Sequence, residues 1–427
     1  YRSGLCGHHS CTRHHLCSVY HLRRHPDHEY PEAPWSNVVT KVIVNNGVTN
    51  IGNDSFAYCK GLSCITLPDS ITSIGERAFQ DCAGIKQITI PKYVTQIGIQ
   101  AFQNCTGLTS ITIPENVAAI GRWGVFDGCA NLEKISVDEN NATYHSDGNC
   151  LIKTETKELL VGCKNSVIPS DGSVTSIGAH AFSGCKGLTS IAIPDSVTNI
   201  GEYAFLYCSG LTSVYITDIT AWCNISFASN PLYYAKALYL NGELVTKLVI
   251  PDSVTSIGRY AFNGCARLAN ISIGSGVSVI KDGVFSNCVG LENISVDENN
   301  ATYRSDGNCL IRTETKELLL GCKNSIIPSD GSVTSIGYSA FYKCNGLKSI
   351  TIPDSVTNIG QGAFRECTNI ESIYVDKNNI RYHSDGNCLI VTETKNLFLG
   401  CKNSTIPSDD SVTSIGYYAF YNCSELK

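Results

Sequence analysis

Three kinds of segment in this sequence carry residue types that could do chemistry. Cys6, Cys11 and Cys17 lie with seven of the ten histidines inside residues 1–36. Cysteine and histidine are zinc ligands, but Cys6-Gly-His-His-Ser-Cys11 lacks the paired C-x2-C spacing of structural zinc sites. This segment is read as an unstructured extension or a cloning or reading-frame artefact, with zinc as the alternative, and is set apart from the fold. Tyr144-His145-Ser146-Asp147-Gly148-Asn149-Cys150 offers a nucleophile beside a base. Its second copy has Arg304 where the first has His145, and a required general base would not lapse between copies. Asp147-Gly148 is read instead as a tight turn. Asp138-Glu-Asn-Asn, Asp297-Glu-Asn-Asn and Asp376-Lys-Asn-Asn offer oxygen ligands, but without the dense acidic loop of a strong calcium site. Loop capping is the expectation there.

Six cysteines form three pairs of identical spacing: Cys150/Cys163, Cys309/Cys322 and Cys388/Cys401. A hairpin turning at Thr156-Lys157 would set Ile152 opposite Val161 and Cys150 opposite Cys163. Opposed hairpin positions have close Cβ atoms. Each pair could therefore be a disulfide in an oxidising location, or two buried thiols on one face.

The elements that must position these residues are repeats. Phe56, Phe79 and Phe102 lie 23 residues apart, as do Phe182 and Phe205, Phe262 and Phe285, and Phe341 and Phe364. A fixed period of this length predicts a solenoid or a propeller, not one compact core, and shifts expectation from catalysis toward binding. Ile-Thr-Ile before Pro alternates as a half-buried strand would, and Pro ends it. Val-Thr-x-Ile-Gly reads as a second short strand turned by Gly. Lys281 replaces that Gly once, so a left-handed backbone is not obligatory there. Ala-Phe-x-x-Cys-x-x-Leu has apolar residues at spacing three, which suits a turn or two of 3₁₀ or α-helix. Eleven of the 22 cysteines stand three residues after a column Phe or its equivalent, Cys59 to Cys423. They are expected to form a reduced, buried ladder. Long turns begin at Ile135, Val214, Ile294 and Ile373, and so recur every 79 or 80 residues.

Composition narrows function further. Charged residues make up 16% and the net charge is −6, which argues against a nucleic-acid polyelectrolyte partner. No apolar run approaches the length of a membrane-spanning helix. The start at Tyr1, the lack of Met and the stop inside a repeat suggest a piece of something larger, truncated at the C-terminus.

Ile250–Leu268, which reads Ile-Pro-Asp-Ser-Val-Thr-Ser-Ile-Gly-x-x-Ala-Phe-x-x-Cys-x-x-Leu, resembles the BspA-type leucine-rich repeat. The resemblance covers about residues 38–427. It implies a β-rich α/β solenoid, a right-handed leucine-rich-repeat array of about fifteen stacked turns with short parallel strands and 3₁₀ or helical segments. It also implies a surface or secreted protein of bacteria or some parasitic protists, some of whose relatives are adhesins. The family has no shared catalytic residues or cofactor to carry over.

The expected organisation is a Cys/His-rich segment at 1–36 and a solenoid at 37–427. The outward positions of the first strand are mostly small, as at Thr89, Thr112, Ser136 and Thr351, with Tyr215 and Tyr374 as exceptions. The positions flanking Ala-Phe are richer: Tyr203, Tyr207, Tyr260, Tyr338, Tyr342, Tyr417, Tyr418 and Tyr421. Tyr offers area and a hydrogen bond at low entropy cost, so this edge is the expected contact surface. The function expected is non-enzymatic binding of a protein or glycoprotein ligand, with no cofactor and no membrane insertion. The alternatives are an intracellular scaffold or the binding region of a larger enzyme.

Overall fold

The computed structural model describes residues 38–421 and 423. The Cys/His-rich segment 1–36 lies outside them. The chain divides into two units between Thr212 and Ser213. Each is built from stacked turns, about fifteen in all, with short parallel strands and very little helix.

In the first unit, Asn50–Ile51, Ser73–Ile74, Gln96–Ile97 and Ala119–Ile120 form one parallel ladder, register-matched at the repeat step. Lys41–Ile43 pairs with Cys64–Thr66, and Ser110–Ile113 with Lys134–Val137, on the other side of the turn. Alternation puts Ile111 and Ile113 inside and Thr112 outside, as the strand period requires. The second unit repeats this design, for example where Lys247–Ile250, Asn270–Ile273 and Asn293–Val296 run in parallel.

Inside, phenylalanines stack face to face. Phe56, Phe79, Phe102 and Phe126 follow one another at 5.3 Å, and Phe262 and Phe285 at 5.6 Å. Burying one such ring contributes about 1.5–3 kcal/mol, which no isolated turn could collect. The Ala-Phe-x-x-Cys segments carry i→i+3 bonds, as where Cys59 N donates to Phe56 O at 3.2 Å. A left-handed residue, Tyr58 in that turn, breaks the run into single turns. The exceptions are two short helices of the second unit, Ile219–Asn224 and Leu232–Ala235. There Trp222 is buried, and its Nε1 donates to Ala261 O at 2.9 Å.

The turn Gly that recurs in all but one of the ordinary turns has a spatial cause, seen at Gly98. Gly98 has no left-handed φ; a Cβ there would lie 2.5 Å from Glu76 N in the turn below. The left-handed position comes two residues later, at Arg77, Gln100, Tyr203, Tyr260 and Tyr418.

Three long turns are antiparallel meanders. In the first, Tyr144–Asp147, Cys150–Lys153 and Glu158–Val161 pair in order, and the last strand joins Ser176–Ile177 in parallel. The first connection is a two-residue loop, Gly148-Asn149, with positive φ at both positions, one residue later than Asp147-Gly148. The second connection corrects the expected register. The loop is Thr154–Lys157, and Leu151, not Ile152, faces Val161, with a bulge between Leu151 and Ile152. The same register recurs at Leu310/Leu320 and Leu389/Leu399. Ladder pairing therefore does not bring Cys150 opposite Cys163, Cys309 opposite Cys322, or Cys388 opposite Cys401.

Candidate functional site

The tyrosines of the Ala-Phe edge sit on turns held by backbone bonds to the next turn. Phe56 N donates to Ala78 O and Tyr58 N to Gln80 O, and this pattern recurs up the stack. Tyr203, Tyr207, Tyr260 and Tyr418 all occupy left-handed backbone, where a bulky residue is uncommon and persists only when its surroundings fix it. Their rings point outward to different extents. Tyr338 is 74% exposed, Tyr417 70%, Tyr207 63% and Tyr203 50%. Tyr260, Tyr342 and Tyr418 are half-buried, while Tyr421 is exposed.

The second unit gathers several of these rings around one cation that sequence reading did not single out. The Arg365 guanidinium lies 4.4 Å from the Tyr418 ring centre, 4.9 Å from Tyr421 and 5.7 Å from Tyr342. Tyr417 and Tyr418 lie 4.0 Å apart. Tyr342 Oη donates to Glu366 Oε1 at 3.0 Å, and the Lys343 ammonium lies 5.1 Å from the same ring. Arg over aromatic faces is favourable and fixes ring orientation. The Tyr338 and Tyr260 rings are not in this group; Tyr260 lies under Arg259 at 4.8 Å.

The first unit has a matching run of mixed type. His180 lies 5.8 Å from Trp123 and 5.2 Å from Tyr203, and its Nδ1 is 3.5 Å from Asp127 Oδ2. His180 occupies the same left-handed column as Tyr203, a positional signal that a search by residue type alone passes over.

The cysteine columns are structural and chemically quiet. The Cys82 thiol donates to Phe56 O at 3.0 Å, Cys105 to Phe79 O at 3.1 Å, and Cys367 to Phe341 O at 2.9 Å. Each thiol thus ties one turn to the turn before. Burial pushes Cys208 and Cys265 up to about 12, and Cys105 well above the ordinary thiol range. A thiol so shifted carries almost no thiolate at neutral pH.

Cys150, Cys163, Cys309, Cys322, Cys388 and Cys401 are all buried in the structure, each sulfur lying among backbone carbonyls. Cys163 donates to Glu133 O at 3.2 Å and Cys322 to Glu292 O at 2.9 Å. Cys401 donates to Asn387 O and Cys388 to Gly386 O, both at 3.6 Å. Cys309 donates to Gly307 O at 3.5 Å. A serine braces each site. Ser166 Oγ accepts from Cys163 N and donates to Asn149 O, both at 2.8 Å, and Ser404 Oγ does the same for Cys401 N and Asn387 O. Cys150 is raised to about 12, by burial first.

The other candidate segments are occupied by local bonding. His145 Nδ1 lies 2.9 Å from Thr154 Oγ1, a hairpin contact. Asp138 Oδ1 accepts from Asn140 N at 2.9 Å, as a capping residue does. Asn141 Nδ2 donates to Pro114 O and Val117 O, while its Oδ1 accepts from Thr143 N and Tyr144 N. Asn300 and Asn379 repeat this clasp. The buried Tyr144, Tyr303 and Tyr382 hydroxyls accept from Ile120 N, Ile280 N and Ile359 N, satisfying donors that the departing ladder leaves open. Among the described residues, no group of three or more His, Cys, Asp or Glu could hold a metal ion, and no helix is long and apolar enough to cross a membrane. Cys6, Cys11 and Cys17 lie outside those residues.

A family model described as the BspA type leucine rich repeat region matches residues 35–149, 158–236, 233–309, 315–386 and 392–427, with six copies. The chain belongs to the BspA-type leucine-rich repeat family. No curated protein matches the chain. Among solved structures, this BspA-type chain is similar to a leucine-rich repeat protein from Bacteroides ovatus at 24% identity. That match covers 80% of this chain and 79% of the other, with a TM-score of 0.42. A leucine-rich repeat protein from Eubacterium ventriosum is 21% identical over 78% of this chain and 85% of its own, at TM-score 0.41. A leucine rich cell surface protein from Faecalibacterium prausnitzii is 25% identical over 79% and 60%, at TM-score 0.27.

Proposed function

We propose that this chain is a non-enzymatic recognition protein of the cell surface or secreted space, and that its tyrosine edge contacts a protein or glycoprotein partner. The observation that carries this reading is the outward display of Tyr203, Tyr207, Tyr338 and Tyr417 on backbone fixed by the stack. A rigid aromatic loses little freedom on binding, which is the main cost a flat surface must overcome. Repetition adds avidity where one partner spans several turns. The net charge of −6 gives no electrostatic ground for a nucleic-acid partner. The buried column thiols, held protonated and bonded to carbonyls, are poor nucleophiles.

The test replaces Tyr338, Tyr342, Tyr417 and Tyr418 together by Ser and compares binding with the parent chain on a panel of matrix glycoproteins, glycans and microbial surfaces. Weakened binding by a folded variant supports the reading; unaltered binding ends it. A second reading, an intracellular interaction scaffold, is favoured by the free thiols, since reducing compartments keep cysteines unpaired. Localisation of the chain in its native cell separates the two.

A further inference from the structure

The sequence carries Asn-x-Ser/Thr sequons that the binding reading leaves unused, and the structure sorts them. Eight lie among the described residues. A sequon accepts an N-linked glycan where its Asn amide can reach the donor, and such sites belong on the surface. The Asn side chain offers two N–H donors and one carbonyl acceptor, so its hydrogen bonds show whether that amide is free to turn.

Seven of the eight are tied into the stack. Asn104 Nδ2 donates to Asp81 Oδ1 at 3.2 Å, and Asn403 Nδ2 to Glu371 O at 3.2 Å. Asn141 and Asn300 each donate to two carbonyls and accept from two backbone N–H groups. Asn293 Nδ2 donates to Asn270 Oδ1 at 2.9 Å, and Asn270 itself opens Asn270–Ile273, a strand paired on both sides. Asn53 Oδ1 accepts from Glu76 N at 2.9 Å, while the hydroxyl of its sequon, Ser55 Oγ, donates to Gly52 O at 2.9 Å.

Asn224 differs. It is the last residue of the helix Ile219–Asn224 and is exposed, and among the described residues no hydrogen bond reaches its side chain. Its neighbours hold the segment from beneath. Trp222 is buried with Nε1 bonded to Ala261 O, and Ile225 is buried in extended backbone. The helix therefore stops at Asn224 and the chain leaves it extended, with Ser226 exposed two residues on. The order exposed, buried, exposed presents the Asn amide and the sequon hydroxyl together.

We propose that Asn224 is an N-glycan acceptor. In the transfer, Asn224 Nδ2 bonds to the anomeric carbon of a lipid-diphosphate-linked oligosaccharide. The bond from that carbon to the diphosphate oxygen breaks, the lipid diphosphate leaves with the electron pair, and one amide proton is released. Nothing is oxidised or reduced. The transferring enzyme belongs to a secretory membrane, so the proposal rests on the cell-surface or secreted reading above. The product is a bulky, solubilising cover on the long turn that carries both helices.

The test expresses the full chain through a eukaryotic secretory route. Its peptides are mapped after enzymatic glycan release in heavy-oxygen water, which converts each formerly glycosylated Asn to labelled Asp. Label is expected at Asn224, with the seven tied sequons unlabelled. Asn224→Gln and Ser226→Ala, both at exposed positions, should each abolish that label and leave the circular dichroism unchanged. An unlabelled Asn224 in secreted, folded protein overturns the inference. Equal labelling of the tied sequons also overturns it, since the fold would then select nothing. Mapping protein from the native cell, with its localisation measured alongside, separates the two readings. A surface protein with bare Asn224 fails this inference alone. An intracellular one fails the reading it rests on, and this inference with it.

Discussion

Cys105 shows how far a single residue's role depends on its partner. Its sulfur is fully buried and donates to Phe79 O at 3.1 Å. Cys105→Ala keeps the backbone but leaves that carbonyl short of a donor and opens a small void. The expected loss is about 1–3 kcal/mol, measured by denaturant unfolding. The columns also predict a pH dependence. Folding raises Cys208 and Cys265 from 9.0 to about 12, so the folded state holds protons that the unfolded state releases. Stability is full below pH 9 and falls as pH rises from about 9 to about 12. Thermal unfolding across that range checks the sign. Alkylation followed by peptide mapping should label the exposed Cys64 in the native chain before the buried column thiols, which need denaturant. The ladder was legible in the sequence from the fixed Phe-to-Cys spacing. Its acceptor was not, because the Phe carbonyl belongs to the preceding turn and only three-dimensional stacking brings it near. Arg365 was invisible for the same reason: its ring partners Tyr342, Tyr418 and Tyr421 come from two other turns.

At the scale of the element, the meanders are anchored by a few buried polar groups. Asn300 donates to Gly274 O and Val277 O and accepts from Thr302 N and Tyr303 N. Asn300→Ala strands several of these groups and should cost about 3 kcal/mol or more, against about 1–3 for Tyr303→Phe, which strands Ile280 N and removes a long donor to Ser278 O. The clasp has a chemical corollary. Asn141 and Asn300 lie in Asn-Ala-Thr sequons, yet both side-chain nitrogens are engaged. Expression through a eukaryotic secretory route should leave these two sites unglycosylated in folded protein, as intact-mass analysis would show. Gly98→Ala tests the stacking cause of the turn glycine: a Cβ 2.5 Å from Glu76 N should destabilise by about 1–3 kcal/mol although φ permits Ala. Sequence reasoning found the strands, the Pro stops and the hairpins. It misplaced the meander register by two residues at Ile152, which faces Leu159 because the loop is Thr154–Lys157 and not two residues, and by one beyond the bulge, where Leu151 faces Val161. In the third meander the pairing Leu389/Leu399 likewise leaves Cys388 and Cys401 one position out of ladder opposition.

For the whole molecule, repetition is readable in the sequence alone, and about fifteen turns follow from the 23-residue step and the long turns between. What the repeat does not announce is where its copies differ. The close approach at the first meander, where a Cβ on Gly184 would lie 2.4 Å from Gly128 Cα, depends on single residues in otherwise parallel positions. Such departures from the consensus, together with the tyrosines that vary around Ala-Phe, are the places where a uniform scaffold acquires an individual surface. The most direct measurement of the recognition account is saturable binding of the parent chain and the Tyr338→Ser, Tyr342→Ser, Tyr417→Ser, Tyr418→Ser variant to immobilised matrix glycoproteins, with circular dichroism confirming equal folding. The account predicts saturable binding by the parent and a loss of about tenfold or more in the variant, the scale of an aromatic interface anchor. Equal binding by the two folded proteins would contradict it.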